Sequence, residues 1–332
     1  MKIRTLALLL PLAAAACDEA PTLSARAAAP SATSYAAPVT SEGHLTGADG
    51  LQLFYRVYGS GPDTAVVLAG GPGLPISYLD KDLAPLAHGR TVIYYDARNA
   101  GFSQIVTDPA LLAMERHVAD LEAVRQHFGI GKLTLVGHSW GAMVAGFYAA
   151  AHPHNVDRMV LVTPGPLQAQ YDAQFEAVRQ SRTSPQLLQQ QGELIGLLLS
   201  GQAPDPLATC EQLFSIYFPA YFADPANIAN LRGSWCGMTP TAANLLPFTM
   251  FAGRASLGPD WNLVPMLSTI QVPALVIHGA GDAIPYASTA GYAEALPSGE
   301  LRVIQGAGHF PWLEEPTEFF TAVNTFLRRG NL

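Results

Sequence analysis

Short apolar runs alternate with helix-periodic segments along most of this 332-residue chain. "TAVVLAGG" (64–71), "TVIYYDA" (91–97), "KLTLVG" (132–137) and "VDRMVLVTPG" (156–165) read as buried strands, as do "VPALVIHGAGD" (272–282) and "GELRVIQGAGH" (299–309). Ahead of them, "HLTGADGLQLFYRVYGSG" predicts a hairpin that turns at Ala48-Asp49-Gly50. Residues 114–129 carry Val118, Leu121, Val124 and Phe128 at helical spacing, and 314–329 predict a closing helix. Strands alternating with helices predict an α/β fold: a mostly parallel sheet with helices on both faces.

The alternation stops between Pro164 and Leu263. "QFEAVRQSR", "SPQLLQQQGELIGLLLSG" and "ATCEQLFSIYFPAYF" look helical, with proline-rich breaks. Residues 165–263 therefore read as a helical cap inserted between two halves of the core, 43–164 and 264–332. Such a cap would sit above the strand ends, where open α/β sheets bind ligands.

The junction "VGHSWGAMVAG" (136–146) raises a chemical question, because it sets a hydroxyl between two glycines where a strand gives way to a helix. Gly137-x-Ser139-x-Gly141 in that context is a nucleophile elbow. A serine needs a base, and the base needs a third group to fix its tautomer. With an elbow the chain order is serine, acid, histidine. Asp282 and His309 each stand just past the C-terminal end of a strand, in that order. Asp260 is the fallback acid, though no strand precedes it. Of the other histidines, His88, His117, His127, His152 and His154 read as surface residues. His138 reads as shaping the turn and His278 as lining a core or pocket. A developing oxyanion also needs donors. The backbone N–H groups of Trp140, after the serine, and of Gly71, in the loop after "AVVLAGGPG", are the candidates.

Composition narrows the classes. Hydrophobic residues make up 49% and charged residues 13%, which fits a large buried core. The net charge is −8 and no basic cluster occurs, so nucleic-acid binding is disfavoured. No zinc spacing, H-E-x-x-H or phosphate-binding loop occurs. "MKIRTLALLLPLAAAAC" has the layout of a secretory signal. It resembles a bacterial lipoprotein signal with Cys17 as the lipidated residue, although Ala14 stands where leucine is usual. The reading is export, either as a lipoprotein facing the periplasm or cell exterior or as a secreted protein. Residues 18–42 are rich in Ala, Pro, Ser and Thr and read as a flexible tether. Cys210 and Cys236 are the remaining cysteines, and an oxidising compartment would pair them.

Together, "AGGPG" (69–73), "DARNAGFS" (96–103), "GHSWG" (137–141), "GAGD" and "GAGHFPWLEEP" resemble the α/β-hydrolase superfamily, in its proline iminopeptidase-like branch, over about residues 43–332. The resemblance implies Ser139, Asp282 and His309 as nucleophile, acid and base, with Gly71 and Trp140 at the oxyanion. Ala69 replaces the usual histidine, and Ala97 and Asn99 replace the usual glutamine and glycine. The leading expectation is a cofactor-free serine hydrolase that releases an N-terminal residue from short peptides. The alternatives are an esterase or lactonase on small apolar esters, and a binding protein that has lost catalysis. An aminopeptidase must recognise a free ammonium, and a cap carboxylate does this well. Glu176, Glu193 and Glu211 lie on apolar helix-like stretches and are the candidates.

Overall fold

The computed structural model describes residues 37–329. The signal segment, Cys17 and the tether up to residue 36 lie outside the described residues. Eight strands, β1 (Val39–Thr46), β2 (Gln52–Tyr58), β3 (Asp63–Leu68), β4 (Arg90–Tyr95), β5 (Leu133–His138), β6 (Val156–Val162), β7 (Ala274–Gly279) and β8 (Gly299–Ile304), form one sheet. Their order is β1-β2-β4-β3-β5-β6-β7-β8. β2 runs antiparallel to β1 and to β4. Every pair from β4 to β8 is parallel.

The apolar runs are continuous because the central strands are covered twice. Val67, Val136, Val160 and Ile277 point into one core layer. Their neighbours Val66, Leu135, Leu161 and Val276 point into the other. Helices α1 (Met114–His127) and α2 (Trp140–Ala151) cover the second layer, with Leu121 and Tyr148 in its core. The closing helices α9 (Pro311–Glu314) and α10 (Pro316–Leu327) cover the first, through Trp312, Phe319 and Val323. Alternate residues of each strand therefore feed opposite layers.

β1 begins at Val39, inside the segment expected to be tether. Its residues are mostly exposed, as befits an edge strand, so no hydrophobic alternation announces it. His117, expected at the surface, is buried. It lies on the stripe formed with Leu121 and Val124 at helical spacing, and its ring packs edge-on to Trp140. Burial lowers its pKa to about 3 and keeps it neutral.

The cap consists of α3 (Ala169–Ser181), α4 (Pro185–Leu199), α5 (Pro206–Tyr217) and α6 (Pro240–Ala255). Gln168 and Asn262 form an isolated bridge where the chain leaves and re-enters the core. The short α7 (Val264–Leu267) then leads to β7, and α8 (Tyr286–Ala295) joins β7 to β8. A disulfide joins Cys210 on α5 to Cys236 in the segment before α6.

Arg98, of the "DARNAGFS" segment, is wholly buried. Its Nε and Nη2 donate to the two carboxylate oxygens of Asp120 on α1, each at 2.8 Å. Its Nη1 donates to the Leu111 carbonyl at 2.6 Å and reaches Asp49 in the β1–β2 turn at 3.3 Å. One guanidinium thus ties β4, α1 and the hairpin together. Arg98→Ala strands a buried carboxylate, and urea unfolding is expected to show a loss of about 3–5 kcal/mol. A loss below about 1 kcal/mol, the scale of an exposed pair, would reject that role.

Candidate active site

Ser139 sits between β5 and α2 with φ 53° and ψ −115°. This positive φ is strained for a side chain other than glycine. The turn is tight on both sides. A Cβ at Gly137 would meet the Gly141 carbonyl oxygen at 2.5 Å, and one at Gly141 would meet the Leu68 carbonyl oxygen at 2.3 Å. Trp140 opens α2, so its backbone N–H has no acceptor within the helix. The helix terminus there favours negative charge.

Asp282 follows β7 and His309 follows β8, so both stand at the same sheet edge as Ser139. Gly71, in the loop after β3, completes that edge. His309 Nδ1 lies 2.9 Å from Asp282 Oδ2, and both side chains are buried. The other carboxylate oxygen, Oδ1, accepts the Ile284 N–H at 3.0 Å. An ionised carboxylate only accepts, so Nδ1 of His309 carries the proton and Nε2 keeps a free lone pair. Asp260, the fallback acid, is exposed and does not line the cavity described below.

The sequence reading missed one network. Tyr78 Oη accepts the Gly70 N–H at 2.7 Å, and it lies 2.6 Å from His138 Nδ1. The His309 carbonyl faces Nε2 and can only accept, so the one ring proton of neutral His138 sits on Nε2 and the Tyr78 hydroxyl donates to Nδ1. That proton is donated to the His309 carbonyl at 3.0 Å. Thr163 Oγ1 donates to the same carbonyl, also at 3.0 Å. Burial and the neighbouring His309 hold the His138 pKa well below its ordinary value. His138 therefore links the Gly70–Gly71 loop to the backbone of His309. Tyr78 is far from His138 in sequence, so no local pattern signals the pair. His278 is buried and contacts Thr289 Oγ1 at 3.1 Å.

A cavity of about 520 Å³ lies between this edge and the cap. Ser139, His309, Gly71 and Trp140 line it from the core. Phe175, Tyr217, Tyr221 and Met250 are among its apolar and aromatic cap residues. Of the three cap glutamates, only Glu176 reaches the cavity. Its carboxylate is engaged by Arg179 at 2.6 and 2.9 Å and by Gln180 at 2.8 Å. Glu193 instead pairs with Gln189 on an exposed face of α4. Glu211 bonds Ser234 near the disulfide. Neither lines the cavity, because the apolar spacing that suggested burial faces neighbouring cap helices. Asp172 and Arg254 do line it, joined as an ion pair.

The alpha/beta hydrolase fold family matches residues 66–316. The chain belongs to that family. The hydrolase is similar to the proline iminopeptidase of Lactobacillus helveticus, at 26% identity over 293 residues, 84% of this chain and 95% of the relative. Among solved structures, an esterase from Thermogutta terrifontis superposes with a TM-score of 0.64 at 20% identity, over 87% of this chain and 98% of that one. A proline iminopeptidase from Mycobacterium smegmatis gives 0.58 at 21% identity, over 87% and 98%. Enzymes named for peptides and for esters thus share this hydrolase's fold, and the fold alone does not choose between them. The hydrolase is also similar to the proline iminopeptidase of Heyndrickxia coagulans, at 26% identity over 299 residues, 86% of this chain and 98% of the relative.

Proposed function

We propose that this hydrolase is a serine aminopeptidase of proline iminopeptidase type that acts on short peptides through an acyl-enzyme. The observation that carries the chemistry is the strained Ser139 elbow in one cavity with the buried His309–Asp282 pair. His309 Nε2 takes the proton of Ser139 Oγ as that oxygen bonds the scissile carbonyl carbon. The carbonyl oxygen becomes an oxyanion held by the N–H groups of Trp140 and Gly71. His309 then gives its proton to the leaving amine as the C–N bond breaks. A water, deprotonated by His309 in turn, releases the acyl group and restores Ser139. Asp282 fixes the His309 tautomer throughout.

The curated relatives support the peptide over other acyl donors. The acidic cap residues Asp172 and Glu176 on the cavity wall suit an ammonium. A second reading, an esterase or lactonase on small apolar esters, is favoured by one observation: Arg179 and Gln180 already engage the Glu176 carboxylate. Aminoacyl-naphthylamides with free and acetylated amines separate the two. The aminopeptidase is expected to lose at least about tenfold in kcat/KM on acetylation, which corresponds to about 1.4 kcal/mol. Equal turnover of the two forms, alongside good turnover of p-nitrophenyl esters, would establish the esterase instead. For location we propose export, a reading supported by the Cys210–Cys236 disulfide.

A further inference from the structure

Two ion pairs border the cavity, and they are built differently. Glu176 and Arg179 close on each other through two hydrogen bonds. Arg179 adds a bond to Gln191, and its guanidinium stacks 4.6 Å from the Tyr217 ring centroid. That pair is fully engaged and holds α3 to its neighbours. Asp172, near the start of α3, and Arg254, in the last turn of α6, meet through a single contact, Nη2 to Oδ1. Among the described residues no other side-chain hydrogen bond is made by either. Most of the guanidinium donors and one carboxylate oxygen therefore have no protein partner.

Position adds to this. Asp172 and Arg254 line the catalytic cavity and also a second, more open cavity of about 370 Å³ beside it. Phe251 and Trp261 line both as well. Among the described residues, Arg254 is the only Lys or Arg that lines the catalytic cavity. A ligand with one charge would take one partner and leave the other without its counter-ion, on a wall where the Arg254 and Asp172 side chains are 39% and 22% exposed. A zwitterion would replace both partners at once.

We propose that the Asp172–Arg254 pair opens to receive a zwitterionic peptide, its ammonium going to Asp172 and its terminal carboxylate to Arg254, so that the enzyme selects dipeptides. This rests on the aminopeptidase reading. It adds a carboxylate site on the leaving-group side and a length limit, because only a very short peptide carries both charges within one cavity. Longer peptides would keep the ammonium contact but carry their carboxylate out of reach of Arg254.

The test compares a free dipeptide, the same dipeptide as its C-terminal amide, and a tetrapeptide with the same first two residues, in wild type and in Arg254→Gln. The wild type is expected to prefer the free dipeptide over both others by at least about tenfold in kcat/KM. Arg254→Gln is expected to bring the acid-to-amide ratio close to one, with Arg254→Lys restoring part of it. Should the glutamine variant fail to fold, the wild-type comparison alone decides. Equal wild-type turnover of acid and amide would overturn the dipeptide proposal and leave the aminopeptidase standing. Turnover of p-nitrophenyl esters with no peptide cleaved would overturn both.

Discussion

Ser139→Ala is expected to fold normally and to lose up to about a millionfold in kcat, the scale seen when a serine nucleophile is removed. The loss follows from where Ser139 stands. It occupies the strained turn, on the cavity that His309 also lines, which is where the proposed mechanism needs its nucleophile. Folding should survive because the turn is shaped by its glycines and by backbone bonds. The Ser139 carbonyl accepts the N–H groups of Ala142 at 3.0 Å and Gly165 at 3.1 Å, and alanine keeps both. Circular dichroism and the urea midpoint check the fold, and single-turnover kinetics checks the chemistry. Activity within about tenfold of wild type in a folded Ser139→Ala, a barrier change of only about 1.4 kcal/mol, would remove Ser139 from the mechanism.

Asp282→Asn is expected to lower kcat by about 10⁴-fold, with little change in stability. Asparagine preserves the shape, and its oxygen can still accept the Ile284 N–H. Its amide nitrogen then faces His309 Nδ1 and donates. That reverses the hydrogen bond and moves the imidazole proton to Nε2, the atom that must accept the Ser139 proton. The histidine remains in place but can no longer act as a base. The nitrogen chemical shifts of His309 report the tautomer directly. A fall in kcat of less than about tenfold would mean that Asp282 does not set it.

The site proved more legible in the sequence than the cap. Ser139, Asp282 and His309 follow apolar runs whose ends are marked by glycine, and strand ends converge in a parallel sheet whatever the intervening loops do. The cap offers no such marker. α6 was missed because Pro247 interrupts its interior and hides the period. Arg254 and Phe251 were missed with it, although both line the cavity. Glu193 and Glu211 were misplaced because helical spacing identifies an apolar face without saying which neighbour covers it. Asn99 shows how a departure from a family pattern can be absorbed. It stands where glycine is usual, at φ 61°, a region asparagine tolerates. Its amide also gains bonds, to the Val106 carbonyl at 2.8 Å and Thr249 Oγ1 at 3.1 Å on the cap helix α6.

The chemistry proposed for this hydrolase rests on Ser139 as the activated nucleophile. It is tested most directly by treating the wild type with a serine-directed phosphonate and mapping the adduct by peptide mass spectrometry. One phosphonyl group on Ser139, formed at a rate that collapses in His309→Ala, is the result expected. Labelling at another serine, or no adduct in an enzyme that still turns over substrate, would contradict the account.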